Sequence, residues 1–597
     1  MLSKYAYILA VILMCYTSFF FYPRWTKATG EASISWDVSG YYWYLPSMFI
    51  YHDLKHQAFE DSVMKKYSPT NGDFQQAMKL DNGNYVMKYS SGMAVMYLPF
   101  FAMAHLLASP LGFPADGFSA PYQFAIQFGG FLISIIGLWY LRKLLLNYYT
   151  DKVIAIVMLL LVVGTNYLNY SSVDNGMSHC WLFTLYVFLL LNTRSFYQTF
   201  QIKYAMRIGL LVGLATLTRP TDIISCLIPL LWGLETISPK AIQNHISLLI
   251  KQIKPLLVAG ICAGAVISIQ LIYWKYVSGH WLVYSYGGQS FSFLHPHPIL
   301  YTLGFRSGWL IYTPMMVLAF VGVLPYLFKG SNKLAILAFF FINYYIVFSW
   351  DIYWYGGRAM VQSYPILLFP MASLVQWVLA TKPRVVLFTV FALLFTYLNI
   401  WITWQYHRGN LYDADCMTKS YYLRVVGRWS APESTIALRD VTELYEGEPK
   451  DLKIIYQNDF EKDTGDFIGN MGVNGSKSLI INKTHQVSPT SVFAYSGGAQ
   501  WLRVQANFYC KEKEWDLWKM PQMVVRLIDK SKEGQFRVVK ENMIRVERTM
   551  NSNENKVLSL DMKLPSVHYD SVCVWFWNAD GERELSIDDL KVSQFNQ

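Results

Sequence analysis

A single acidic residue, Asp37, lies in the aromatic stretch "ISWDVSGYYWYLP", which begins at Ile34, shortly after the first apolar segment of the chain. Ionisable groups at a membrane boundary are costly enough to be functional candidates. A carboxylate there can take a proton from a hydroxyl group, and its basicity increases when neighbouring rings exclude water. The rings that follow, Tyr41 and Tyr42, are candidates for binding a substrate. The alternative is that Asp37 is a solvated loop residue or caps the next helix.

Three arginines have the chemistry to bind a phosphate group, because a guanidinium holds two oxygens in a planar fork. Arg358 stands in "YGGRAM", Arg306 in "GFRSGW" and Arg219 in "LTRPTD". The glycines before Arg358 let the backbone approach a ligand, and Arg219 separates two short apolar segments, a pattern that marks ligand sites in membranes. The alternatives are that Arg358 is a surface arginine at the membrane boundary and that Asp222 simply neutralises Arg219.

A further pair, Asp174 and His179 in "SSVDNGMSH", lies at one end of a predicted helix. The two side chains can orient a phosphate or an acceptor; alternatively, the histidine is structural. No second carboxylate stands at metal-ligand spacing from Asp174, so a catalytic divalent ion is not expected in the membrane domain. The seven cysteines show no zinc-binding spacing.

The composition is that of a membrane protein, since 53% of the 597 residues are hydrophobic and 15% are charged, against about 25% charged in soluble domains. Apolar stretches that can cross a bilayer predict a bundle of eleven helices. The two segments that flank Arg219 and Pro220 are shorter than a full span. The predicted segments are 5–22, 121–141, 153–171, 178–197, 206–218, 222–234, 255–273, 308–328, 334–350, 364–380 and 385–404.

Basic residues set the orientation of this bundle, because short cytoplasmic loops carry an excess of lysine and arginine. With a cytoplasmic N-terminus, the basic loops, among them 142–152 and 240–254, all fall inside. This accounts for much of the formal charge of +10 and leaves no support for nucleic-acid binding. The apolar run Met93–Leu111 would reverse every later loop if it crossed the membrane. We therefore expect it to pack on the outer face, within a first external loop over 23–120.

The composition changes from about Tyr445, where short runs such as "WLRVQANFY", "QMVVRLI" and "SVCVWFWN" are separated by Gly, Asn, Pro and Asp. Their period of two predicts an all-β sandwich. The predicted organisation is a multi-spanning helical membrane domain over 1–405, a connector over 406–445 and an extracytoplasmic β-sandwich over 446–597.

The order of several motifs resembles the GT-C glycosyltransferases, within them the branch of protein mannosyltransferases and lipid A aminoarabinose transferases. The resemblance covers about residues 1–405 and rests on "WDVSGYY", "KYSSGMAVMYLPFF", "LTRPTD" and "WYGGRAMVQSYP". It implies an enzyme that moves a sugar from a polyprenyl-phosphate donor to a hydroxyl of a glycan, lipid or protein acceptor on the outer face of the membrane. The implied location is the bacterial cell (inner) membrane, with the C-terminal domain in the periplasm.

The resemblance also implies a role for each candidate residue. A single base with direct attack predicts inversion at the anomeric carbon, whereas retention requires two close carboxylates. The chain departs from the family where Val38, rather than a second acid, follows the candidate base, and where the second external loop lacks a DxD pattern. The implied roles are catalytic base for Asp37, donor-phosphate ligands for Arg358, Arg306 and Arg219, and substrate-binding groups for Asp174, His179, Tyr41 and Tyr42.

The C-terminal region resembles carbohydrate-binding jelly-roll modules through its start, "QNDFEKDTG", and its end, "ELSIDDLKVSQF". In such modules an acid of the first strand and an acid of the last strand share a structural calcium ion, which prefers oxygen ligands. The matching residues are Glu461 and Asp588, with Asp459 and Asp589 as alternates. The alternative is that these acids are ordinary charges at strand edges.

A second functional class fits the same composition, that of a lipid-linked-sugar transporter or a glycan-sensing membrane protein. A transporter is expected to carry charged residues within its spans or to consist of two related halves. The candidate residues instead gather in the predicted outer loops. The sequence therefore favours the enzyme.

We expect a reporter fused after residue 410 to be active only outside the cytoplasm, because the basic loops place the C-terminal domain there. Paired alkaline phosphatase and fluorescent-protein fusions measure this. A fluorescent, phosphatase-inactive fusion would contradict the placement of Met93–Leu111 on the outer face.

Overall fold

The chain folds into two compact units, Met1–Asn410 and Leu411–Gln597. The computed structural model describes all residues except 71–73, 351–355, 414–415, 470–472, 495–497 and 533–534. The first unit is mainly helical and holds one small antiparallel sheet, β1 (Ala77–Lys79) with β2 (Tyr85–Met87). Its helices are α1 Leu2–Tyr16, α2 Asp37–Tyr42, α3 Tyr44–Phe49, α4 Glu60–Tyr67, α5 Gly92–Ala108, α6 Ala120–Leu145, α7 Asp151–Gly164, α8 Tyr167–Ser172, α9 Ser178–Thr199, α10 Ile202–Thr218, α11 Leu227–Leu231, α12 Pro239–Lys251, α13 Ile253–Ser278, α14 Pro298–Leu303, α15 Trp309–Tyr312, α16 Met316–Lys329, α17 Lys333–Phe348, α18 Tyr364–Val378 and α19 Lys382–Trp404.

Apolar helices of two lengths make up much of this unit. In the described part of the chain, four helical stretches are long and apolar enough to cross a membrane: Leu2–Thr26, Ala120–Leu145, Ile253–Ser278 and Lys382–Gly409. Shorter apolar helices occupy Gly92–Ala108, Pro220–Leu231, Met316–Lys329 and Lys333–Phe348. Each predicted segment overlaps helical structure. These helices support a membrane protein, whereas the count of eleven spans and the orientation stay predictions.

Helix α12 is not among the predicted segments, because its apolar residues are interrupted by polar ones. Ser238 caps its start by accepting the backbone N–H of Ala241 at 3.2 Å, and Pro239 occupies the first helical position. Both features favour a helix start. None of its residues is buried.

Helix α5 covers most of the run 93–111 that was predicted to pack on the outer face; it begins at Gly92 and ends at Ala108. One side of it is buried, including Tyr97 and Phe101. The start of α5 lies directly against the end of α10, since a Cβ at Gly92 would come within 2.4 Å of the Thr218 nitrogen. The absence of a side chain at Gly92 therefore fixes α5 against the residue that precedes Arg219.

The second unit is a sandwich of two antiparallel sheets, which confirms the all-β prediction. Its strands are β3 Lys450–Asn458, β4 Ile468–Gly469, β5 Ser478–Ile481, β6 Ser491–Ala494, β7 Trp501–Cys510, β8 Gln522–Lys532, β9 Gln535–Arg545, β10 Glu554–Lys563, β11 Ser571–Trp577 and β12 Leu585–Asn596. One sheet is six-stranded, with the order β10-β7-β12-β5-β4 and with β3 paired to β12. The other is four-stranded, with the order β6-β11-β8-β9. The first and last strands of the sandwich thus lie side by side, with Asn458 opposite Leu590.

The segment predicted as a connector is built into this second unit from Leu411 onward. It forms α20 (Lys419–Val425) and α21 (Glu433–Ile436), and Val441 joins the core between the sheets. The side chain of Asp440 is 1% exposed and accepts hydrogen bonds from Arg545 at 2.6 Å and from Arg548 at 3.0 Å. These contacts are not visible in the sequence because the partners lie about a hundred residues apart.

A buried acid, Glu547, lies in the 3₁₀ helix Val546–Thr549 of this unit. One carboxyl oxygen accepts the backbone N–H of Glu514, and the other has no hydrogen-bond partner among the described residues. Burial raises the pKa of Glu547 to about 7. The folded state therefore holds this proton more tightly than the unfolded state does, and stability falls as the pH rises from about 4.5 to 7.

We expect Glu547→Gln to stabilise the protein at pH 8 by roughly 1–3 kcal/mol and to have little effect near pH 4.5, because the amide keeps the hydrogen bond without the buried charge. Unfolding of the detergent-solubilised chain, followed by tryptophan fluorescence at both pH values, measures this. Glu582→Gln, which removes an exposed charge paired with Lys483, is the control. An equal effect of Glu547→Gln at both pH values would contradict the account.

Candidate active site

The candidate base stands at the start of α2, directly after a strained residue. Trp36 has φ +48° and ψ −128°, a conformation that side-chain-bearing residues rarely adopt. Its N–H donates to Pro69 O at 2.9 Å, and its carbonyl accepts the hydroxyl of Ser39 at 2.6 Å. Asp37 is the first residue of the helix, and its side chain does not cap it. Backbone strain of this kind is typical of functional sites.

Both carboxylate oxygens of Asp37 are engaged. The hydroxyl of Tyr89 donates to Oδ1 at 2.8 Å, and Nη2 of Arg358 donates to Oδ2 at 2.7 Å. The side chains of Asp37 and Arg358 are 19% and 26% exposed, so the pair is accessible but largely shielded from water. The ring of Tyr41 lies 4.5 Å from that of Tyr89. The structure thus unites a carboxylate, a guanidinium and two phenol rings.

The arginine of this pair is held by a short 3₁₀ helix, Arg358–Ser363. The two glycines before it both have positive φ, and a Cβ at Gly357 would lie 2.5 Å from that of Trp309. Asn166 holds both ends of the segment: its amide N–H donates to Gly356 O at 2.9 Å, and its carbonyl accepts the hydroxyl of Tyr364 at 2.6 Å. The glycines are therefore needed for the tight turn into the helix. Residues 354–355 of the quoted motif lie outside the described residues.

Arg219 reaches the same region from the end of α10. Its Nη1 donates to Oε1 of Gln362 at 3.2 Å. The pKa of Tyr41 is raised to about 12, chiefly by burial and also by the charge of Asp37, while the positive charges of Arg358 and Arg219 lower it. Both guanidiniums therefore act on Tyr41, so the structure brings three of the predicted charged residues together.

Asp174 and His179 have separate contacts in the structure. Asp174 forms an ion pair with Arg24 and accepts a hydrogen bond from Asn169 at 2.9 Å. Burial alone would raise the pKa of Asp174, but Arg24 and Asn169 are among the groups that bring it below its usual value. His179 is buried, faces the ring of Tyr170 at 5.4 Å and lies in the electrostatic field of Arg219 and Arg358. Their role in orienting a phosphate or an acceptor stays a prediction.

Two further predicted site residues, Tyr42 and Arg306, do not lie beside the Asp37–Arg358 pair in the contacts described. Tyr42 is fully buried, donates to Gly117 O at 2.5 Å and packs against Phe118. It is a core residue, because one helical step turns it about 100° away from the side of α2 that carries Tyr41. Arg306 is exposed between α14 and α15. Its role as a phosphate ligand stays a prediction.

The structure adds Tyr89 and Lys88 to the site. Lys88 is partly buried; burial lowers its pKa, the charge of Asp37 raises it and that of Arg358 lowers it. Both residues stand in the quoted motif "KYSSGMAVMYLPFF". In the structure they directly follow the short strand β2 and precede the apolar run. Membership of this motif was the only signal in the sequence, and it was not sufficient to assign them a role.

The acids of the β-sandwich are held by N–H donors. Asp588 accepts the N–H groups of Val473 at 3.2 Å and Asn474 at 3.0 Å. Glu461 accepts that of Lys477 at 3.0 Å. The two acids thus both hold one loop, 473–477, by accepting backbone N–H groups.

The alternates make similar contacts, since Asp459 accepts the N–H of Glu461 at 3.3 Å and Asp589 accepts an amide N–H of Asn474 at 2.7 Å. The donors around these acids do not fit a calcium ion as they stand, so calcium stays a prediction from the resemblance. Among the described residues, one group has ligand atoms within 4.8 Å of one another, the distance suited to a metal ion: Asp529, His568 and Asp570.

Comparisons with known proteins give only loose likenesses. No protein-family model matches the chain, and no curated protein matches it. The apo oligosaccharyltransferase of Archaeoglobus fulgidus is 13% identical with a TM-score of 0.40, over 70% of this chain and 57% of its own. A family 16 carbohydrate-binding module is 9% identical with a TM-score of 0.15, over 21% of this chain and 82% of its own. The chain thus spans less than two thirds of the oligosaccharyltransferase, and with TM-scores below 0.5 neither likeness establishes a shared fold.

The ion pair between Arg24 and Asp174 can be tested by substitution. Arg24 also donates to the hydroxyl of Ser35 at 2.8 Å, two residues before Asp37. Removing either charge leaves the other largely shielded from water without its counter-charge, which destabilises a protein by roughly 2–4 kcal/mol. We expect Arg24→Gln and Asp174→Asn each to lower the thermal unfolding temperature in detergent, and the double variant to lose less than the sum. Strictly additive losses would contradict a coupled pair.

Proposed function

We propose that this protein is an integral-membrane inverting glycosyltransferase. It moves a sugar from a polyprenyl-phosphate donor to an acceptor hydroxyl on the outer face of a bacterial cell membrane. The observation that carries the proposal is the contact between Asp37 and Arg358, with Arg219 and Lys88 nearby. It puts one base next to several cations, which is the arrangement that transfer of a sugar from a phosphate requires.

The proposed reaction is a single displacement. The acceptor oxygen attacks the anomeric carbon, the bond from that carbon to the phosphate oxygen breaks, and its electron pair goes to the phosphate. Asp37 accepts the hydroxyl proton and later releases it to water. Since Asp37 is proposed to act as a base and not as a nucleophile, the scheme has no covalent sugar intermediate, and the configuration inverts. Tyr41 and Tyr89 present rings to the sugar.

Arg358 has two partners in this scheme. Without donor it pairs with Asp37; with donor, its guanidinium turns part of its N–H donors to the phosphate, which frees a lone pair of Asp37 for the acceptor. Arg219 and Lys88 supply further positive charge for the departing phosphate. The base and the phosphate ligand are therefore held together before the substrate arrives.

An apolar groove supports a donor with a long hydrocarbon chain. It has a volume of about 430 Å³ and lies between α10, α13 and the residues from Ile223 to Leu230. Ile223 directly follows Asp222. Small residues such as Gly209, Gly260 and Gly264 line it. A polyprenyl-phosphate donor bound there would keep its hydrocarbon tail among the lipids and direct its phosphate toward Arg219.

The β-sandwich is proposed to select the acceptor. A cleft of about 410 Å³ combines the rings of Tyr456 and Phe467 with polar groups that include Asn458 and Asp463. A pocket of this size with few, fixed polar groups suits a small ligand. It supports a glycan acceptor over a lipid acceptor.

We expect Asp37→Asn to reduce sugar transfer by about 10²–10⁴-fold, because an amide cannot accept the hydroxyl proton. Transfer is measured in membranes supplied with a radiolabelled polyprenyl-phosphate sugar and an extract containing the acceptor. Asp116→Asn is the matched control: this acid lies in the same loop and also forms an ion pair, with Lys66 at 2.8 Å. It should retain most of the activity. Transfer by Asp37→Asn at the rate of the Asp116 variant would contradict the assignment of the base.

A further inference from the structure

A buried glutamine connects Arg219 to the helix that begins with Arg358. Gln362 is 1% exposed and stands one turn after Arg358 in the same 3₁₀ helix. Its Oε1 accepts Nη1 of Arg219 at 3.2 Å, and its Nε2 donates to Oδ1 of Asp222 at 2.9 Å. Gln362 stands in the motif "WYGGRAMVQSYP", but no feature of the sequence assigned it a role.

We propose that Gln362 is a positioning residue that sets the orientation of Arg219 toward the donor phosphate. This inference rests on the proposed function, since it takes a phosphate as the group that Arg219 binds. Gln362 acts through Arg219 and does not itself touch the donor.

The chemistry of the position requires an amide. A glutamine accepts from a guanidinium and donates to a carboxylate through one rigid group, so it aligns two charged residues that would otherwise meet directly. A direct pair of Arg219 with Asp222 would neutralise the arginine and turn it away from a ligand. With Gln362 between them, one N–H of Arg219 is used for positioning, and a guanidinium has five.

The same helix fixes the distance between the two arginines. Arg358 begins it, Gln362 stands four residues later, just before its end at Ser363, and Asn166 contacts Gly356 and Tyr364 on either side of it. The buried His179 lies near this segment, where both guanidiniums and the side chain of Gln362 act on it.

Binding of decyl phosphate to the purified full-length protein tests the inference without catalysis, with decanol as the probe that lacks the phosphate. We expect Gln362→Ala to weaken decyl phosphate binding about five- to tenfold and to leave decanol binding unchanged, because Arg219 loses its orienting partner. Asp222→Asn keeps an acceptor for Gln362 and should bind like wild type, whereas Asp222→Ala should resemble Gln362→Ala. Gln57→Ala, at a buried glutamine that bonds Trp43 and Ser47, is the matched control and should bind normally.

The outcomes separate this inference from the proposed function. Wild type that binds decyl phosphate no better than decanol overturns the phosphate site and the inference with it. Wild type that discriminates, with Gln362→Ala equal to it, overturns the positioning role alone. If Gln362→Ala loses binding but melts far below the Gln57 control, Asp222→Ala and Asp222→Asn decide: weak binding by the first and normal binding by the second support positioning, and equal binding by both contradicts it.

Discussion

The ion pair between Asp37 and Arg358 is the contact on which the rest of the site depends. It joins the predicted first external loop to a helix 321 residues later in the chain. A largely shielded ion pair is favourable only when its partners have further hydrogen bonds. Tyr89 supplies one to the acid, and Asn166 holds the segment that carries the arginine. These supports keep the proposed base and the proposed phosphate ligand within hydrogen-bond distance of each other.

Several features near this pair are unfavourable for folding, which is typical of a binding site. Trp36 keeps a rare backbone conformation next to Asp37, and the hydroxyl of Ser178 is buried without a partner among the described residues. Strain and unpaired polar atoms persist only where the surrounding packing enforces them. Here the enforcement comes from close backbone contacts, such as Gly92 against Thr218. The stability of the bundle therefore maintains a site that would not form by itself.

The sequence was sufficient for features with a local signal. The period of two predicted the sandwich, and an acid among aromatic residues and an arginine after two glycines pointed to Asp37 and Arg358. It was insufficient where the partner lies far along the chain: Arg24 for Asp174, Gln362 for Arg219, and Arg545 for Asp440. Tyr41 and Tyr42 could not be separated either, because the boundaries of a six-residue helix decide which of two adjacent rings faces the site.

The central claim is a one-step transfer by a single base, and the anomeric configuration of the product tests it most directly. One-bond carbon–hydrogen couplings at the anomeric carbon, measured by NMR for the ¹³C-labelled sugar in the donor and in the product, report the configuration on each side of the reaction. The account predicts opposite configurations, because the acceptor attacks the face opposite the phosphate. The same configuration in donor and product would require a second nucleophile and would contradict the account.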